Sequence, residues 1–140
     1  MMPLVHAACV EWLGAGVLIR GKSGAGKSDL ALRLIDAGAA LVADDQVLLE
    51  NGIASAPARL QGLLEVRGLG IVRLPFVEKT AVVLTIDLCS ADEIERLPDR
   101  FGGIMRLDPF CASAVAKIKL ALRVAAGERH LLSDAETVIL

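Results

Sequence analysis

Long hydrophobic runs, basic clusters and paired cysteines are all missing from this 140-residue chain. Every apolar stretch is interrupted by a charge or a glycine before the ~18–20 residues that a bilayer span requires, so a soluble protein with no membrane partner is expected. Lys and Arg total 15 against 17 Asp and Glu, a formal net charge of −2, and no basic stripe stands out. The electrostatic footprint of a nucleic-acid binder is therefore absent. Three cysteines, Cys9, Cys89 and Cys111, form neither a CxxC spacing nor an even set. That usage suits reduced thiols in a cytoplasm better than a disulfide framework or a zinc site. The first residues show no basic region followed by an apolar core and a cleavage site, so no secretory signal is expected.

What is present is apolar: hydrophobic residues make up 54% of the chain and charged residues 23%, which excludes intrinsic disorder. The length fits one domain over residues 1–140 with its own core. Glycines and prolines punctuate the chain instead of pooling, as turns between short elements do. Val5 to Trp12 and Val17 to Arg20 read as strands joined through Leu13-Gly14-Ala15-Gly16. Residues 29–37 read as a helix with apolar positions at 30, 31, 34 and 35, closed by Gly38 as a left-handed cap. Leu41-Val42-Ala43 reads as a short strand, and Asn51-Gly52 as the turn of a hairpin formed by 46–50 and 53–56. Thr80 to Leu88 is nearly all apolar and β-branched, as expected of a mid-sheet strand buried on both faces. Asp108-Pro109 reads as a cap and first turn for a second helix, with Cys111, Val115, Ile118, Leu122 and Ala125 at helical spacing up to Gly127. The expected fold class is α/β, with a mixed sheet and flanking helices.

Chemistry concentrates at Gly21-Lys22-Ser23-Gly24-Ala25-Gly26-Lys27-Ser28, which matches G-x-x-x-x-G-K-[ST] between an expected strand and an expected helix. The glycines let backbone N–H groups turn inward as an anion cradle, Lys27 can neutralise β- and γ-phosphates, and the Ser28 hydroxyl can ligate Mg²⁺. ATP and Mg²⁺ are the implied cofactors. Asp44 and Asp45 follow the short strand, 16 and 17 positions after Ser28, where carboxylates at a strand end can face a metal or a nucleophile. Neighbours on an extended strand point to opposite sides, so the two carboxylates have different roles. Glu65 and Arg67 lie two positions apart, on one side if extended, before a glycine-rich turn; taken alone, they read equally as a surface ion pair. His6, alone, reads as a structural histidine on the first strand.

Together these pieces resemble the catalytic domain of the HPr kinase/phosphorylase family. The matching stretches are V-H-A-A-C-V around His6, G-K-S-G-A-G-K-S, L-V-A-D-D, and L-L-E-V-R-G-L-G-I-V at 63–72. The last two segments, in this order, are the family-specific part, and beyond Val72 the likeness is loose. Longer members carry an N-terminal domain, so the chain resembles a short form made of the kinase domain alone. The resemblance implies an ATP-dependent serine kinase acting on the phosphocarrier protein HPr, with reverse phosphorolysis in many members, cytoplasmic and commonly hexameric. It implies that Asp45 exchanges a proton with the serine, that Lys27 is the loop lysine, that Ser28 and Glu65 are Mg²⁺ ligands, and that His6 is an active-site histidine. Arg67 can add charge stabilisation for the transferring phosphate. Where the family has a Pro-Val-Arg-Pro-Gly-Arg-Asn-like segment with a further catalytic arginine, this chain reads Met105-Arg106-Leu107-Asp108-Pro109-Phe110-Cys111, leaving Arg106 as the nearby candidate. A P-loop kinase of a small metabolite and a nucleotide-binding regulatory subunit without phosphotransfer remain as alternatives.

Overall fold

A computed structural model of the chain describes residues 3–98 and 101–132. Alternating side chains on the first strand set up the architecture. In β1 (Leu4–Trp12), Ala8, Val10 and Trp12 face one apolar cluster, whereas Ala7 and Cys9 face another. With a period of two, a strand apolar on both faces must be covered on both. The first cluster is closed by α1 (Lys27–Asp36) and α2 (Ala114–Ala125), through Leu30, Leu34, Ile118 and Leu122. The second is closed by the hairpin of β4 (Gln46–Glu50) and β5 (Ile53–Ser55), through Val47 and Ala54.

The strand layer beneath the helices runs β3 (Ala40–Ala43), β1, β2 (Ala15–Arg20), β8 (Thr80–Leu88), β9 (Ile104–Leu107). β1 is antiparallel to β2 and β3, while β2, β8 and β9 are mutually parallel, so the sheet is mixed as expected. β4 pairs with the start of β1, and β5 with the start of β8 at Thr80 and Ala81. The path β1–β4–β5–β8–β2 therefore closes on itself, so that each of these five strands is paired on both sides while β3 and β9 remain at the edges. A separate hairpin, β6 (Leu63–Val66) with β7 (Gly70–Arg73), lies against α1 through the fully buried Leu64.

Several sequence expectations change in detail. The β1–β2 connection is only Leu13-Gly14, both at positive φ (54° and 77°), so Ala15 and Gly16 belong to the strand. β8 lies mid-sheet between β2 and β9, but Ala81 and Val83 are exposed and the strand is not sealed along both faces. A register shift between Gly16 and Val17 accounts for this, because a bulge re-aims side chains and sends Val82 to one cluster and Leu84 to the other. The second helix starts at Ala114, not at Asp108-Pro109. The Asp108 carboxylate accepts a hydrogen bond from the Phe110 N–H at 2.9 Å, so it stabilises a turn instead of capping a helix. Its buried positions are Ala114, Ile118, Ala121 and Leu122, with Ala125 exposed. At α1 the expectation holds, because Gly38 N–H bonds Ile35 O and Ala39 N–H bonds Leu34 O, a Schellman closure.

Gly16 sits where β2 crosses close over β8. A Cβ there would lie 2.5 Å from the Ala81 carbonyl oxygen, a backbone atom with little room to retreat. Gly16→Ala is expected to destabilise the protein by about 1–3 kcal/mol, the usual cost of overpacking, measured by chemical denaturation. An unchanged midpoint would mean that the strands separate freely at this point.

Candidate active site

The carboxyl ends of β2, β8 and β9 share one edge of the sheet, and the loop 21–26 leaves β2 there to enter α1. Gly24 and Gly26 have φ of 81° and 103°, values that only glycine adopts freely, and they turn the loop toward the helix. Gly26 is the N-cap and offers no side chain to the first N–H groups of α1, leaving those donors for an anion. Lys27 is buried, and its ammonium donates to the carbonyl oxygens of Gly21 at 2.7 Å and Lys22 at 2.9 Å, lying across the loop. Donors without acceptors beside an inward-held cation suit a polyphosphate.

The adjacent carboxylates Asp44 and Asp45 diverge. Asp44 is 7% exposed; its Oδ1 accepts from the Ser28 hydroxyl at 2.7 Å and its Oδ2 from the Glu65 N–H at 3.2 Å. One buried carboxylate thus links the start of α1, the end of β3 and the hairpin strand β6. Asp45 has φ 69°, and the Gln46 N–H bonds back to Asp44 O at 2.8 Å, closing a γ-turn around it. A non-glycine residue at such a φ stores strain of about 1–3 kcal/mol, a feature that gathers at functional positions. The Asp45 side chain, 66% exposed, meets His6 with Nε2 to Oδ1 at 3.3 Å.

His6, Ser23, Lys27, Ser28, Asp45, Glu65 and Arg67 all line one cleft. Glu65 enters from the end of β6 and Arg67 from the turn that follows, where Gly68 has φ 85°. The structure does not bring Arg106 into this group. Its guanidinium donates to the Glu93 carbonyl at 3.2 Å, away from the cleft lining. Two lining residues were not singled out from the sequence in their observed roles. Asp44 holds Ser28, a link visible only once β3 returns beside α1. Phe110, in the divergent 105–111 segment, stands beside Gly26, and its ring Cζ would be 3.3 Å from a Cβ there.

Comparison with known proteins gives a consistent picture. The profile of the family described as HPr Serine kinase C-terminal domain matches residues 2–135. HPr kinase/phosphorylase of Lactobacillus delbrueckii subsp. bulgaricus is 32% identical over 143 residues, taking in 94% of this chain and 45% of that protein. The HPr kinase/phosphorylase of Bordetella pertussis is 47% identical over 109 residues, 67% of this chain and 35% of the relative. The chain thus spans less than half the length of these curated relatives. The solved structure of the Hpr(Ser) kinase/phosphatase from Coxiella burnetii superposes with a TM-score of 0.74 at 26% identity, covering 90% of this chain and 97% of that one.

The backbone at Asp45 yields a direct test. Asp45→Gly should leave the unfolding free energy unchanged or raise it, because glycine tolerates φ 69°. Asp45→Val should lower it by about 1–2 kcal/mol. Equal losses in both variants would mean that the turn is not strained.

Proposed function

The chain belongs to the HPr serine kinase C-terminal domain family, and on that footing we propose that it transfers the γ-phosphoryl group of ATP to a serine of the phosphocarrier protein HPr. The observation that carries this reading is the composition of a single cleft, which Lys27, Ser28, Asp45 and His6 line together. A serine hydroxyl is a weak nucleophile until a positioned base takes its proton. Asp45, exposed and next to His6 at 3.3 Å, is that base, and His6 holds the carboxylate toward the incoming hydroxyl. The O–H proton passes to Asp45 Oδ as the serine oxygen bonds to the γ-phosphorus and the bond to the β-phosphate oxygen breaks.

Lys27 and the loop amides hold the phosphates in line, and Arg67 faces the charge that spreads over the transferring group. Ser28 and Glu65 are the residues that would hold Mg²⁺, which supplies further neutralisation of the phosphate charge. Their hydroxyl and carboxylate oxygens are the hard donors that this cation prefers. Asp44 acts through Ser28, keeping its hydroxyl oriented. The same geometry favours the forward reaction, since phosphorolysis crowds more anionic groups together and Arg106 is engaged elsewhere. The three free thiols suit a cytoplasmic setting, and the largely exposed Leu97, Ile104 and Leu120 suit contacts between copies in a homo-oligomer.

Incubation with γ-labelled ATP, Mg²⁺ and HPr should place label on an HPr serine. Lys27→Ala should abolish the transfer. Asp45→Asn should keep nucleotide affinity within a few-fold while transfer falls by roughly 10²–10⁴. Label appearing on a small molecule instead, or full activity in the Lys27 variant, would overturn the assignment.

A further inference from the structure

The cleft has two flanks, and the proposed chemistry occupies one of them. In the strand order β3-β1-β2-β8-β9 the loop stands over β2. Asp45 and His6 approach it from the β3 and β1 side. Segment 108–110 leaves β9 at the same edge, on the opposite side of the loop. A nucleoside triphosphate whose γ-phosphate faces Asp45 must direct its other end away from Asp45, and the β8–β9 flank lies there. Ligands of open α/β sheets collect at this carboxyl edge.

Phe110 stands on that flank and belongs to the cleft lining. The chain holds four aromatic residues, one Trp and three Phe, and Phe110 alone among them lines the cleft. The residue is 73% exposed, an unusual placement for a phenylalanine with no role. Its backbone is fixed all the same. The Phe110 N–H donates to Asp108 Oδ1 at 2.9 Å, and the preceding Pro109 carbonyl accepts from Arg33 Nη2, while Arg33 Nε pairs with Asp29 Oδ2 at 3.1 Å. The ring edge rests on the loop at Gly26. A rigidly mounted, solvent-facing ring beside a phosphate cradle has the attributes of a base-stacking platform.

We propose that Phe110 is the platform on which the nucleobase of the bound nucleoside triphosphate stacks. This rests on the reading of loop 21–28 as a nucleotide site and adds the residue that engages the base. Because every base presents a π-face, such a platform serves adenine and guanine alike.

Titration calorimetry with Mg-ATP and with Mg-tripolyphosphate, which lacks a base, separates the possibilities. Phe110→Ala and Phe110→Leu should weaken ATP binding by roughly five- to hundred-fold and leave tripolyphosphate binding unchanged. Phe110→Trp should retain ATP affinity and show an indole fluorescence change on ATP addition that tripolyphosphate does not produce. Unchanged ATP affinity in the Ala and Leu variants would overturn the proposal, with nucleotide binding still standing. Equal weakening for both ligands would also overturn it, assigning the ring to the shape of the loop. A parent protein that binds neither ligand would remove the nucleotide site and the platform together.

Discussion

The Asp44 carboxylate is the constraint on which the site depends. It is almost fully buried, and it is satisfied by two donors from parts of the chain far apart in sequence, the Ser28 hydroxyl and the Glu65 N–H. Charge-assisted hydrogen bonds of this kind are stronger than neutral ones, and a buried carboxylate left without them is costly. Removing any one of the three would therefore disturb the other two. The positions of the start of α1, the end of β3 and the β6–β7 hairpin are set jointly at this point.

Fixing Asp44 inward has a direct consequence for Asp45. β3 and β4 both run antiparallel to β1, and between them the chain kinks through a γ-turn that holds Asp45 at φ 69°, with its exposed carboxylate 3.3 Å from His6 Nε2. One carboxylate is thus buried and structural while its neighbour stands exposed beside His6. The scaffold behind them is suited to bearing that strain. The closed strand path and two apolar clusters leave little freedom at the strand ends, so short loops can carry the reactive groups at fixed spacing.

Local signals in the sequence were the easiest to read. Asn51-Gly52 forms its turn with φ of 52° and 76°, α1 ends at Gly38, and the glycine–lysine loop sits between strand and helix, because each depends on residues within a few positions. Features that depend on distant partners were less legible. The closure of β4–β5 onto β8 joins segments whose pairing no local pattern records, and the register shift between β2 and β8 at Gly16 and Val17 is equally invisible in either segment alone. Asp108-Pro109 carries the chemistry of a helix start yet serves a turn, since an aspartate can bond a nearby N–H in either setting. Strand alternation predicts that the Asp44 and Asp45 side chains diverge, and they do, but the cause is the γ-turn at Asp45 beyond the end of β3, not an extended strand. Which one faces Ser28 was not foreseeable, because that requires knowing what lies beside β3. Arg106 looked available by proximity in sequence, but its position on β9 directs it to the Glu93 carbonyl.

The most direct measurement is the gain in ATP affinity on adding Mg²⁺, compared between the parent and Asp44→Asn, a change that keeps the shape and removes the charge. If Asp44 keeps Ser28 aligned for the cation, the variant should lose most of that gain while its affinity for Mg-free ATP, held by the loop amides and Lys27, stays within a few-fold. A full Mg²⁺-dependent gain in the variant would contradict the role assigned to Asp44 at the centre of the site.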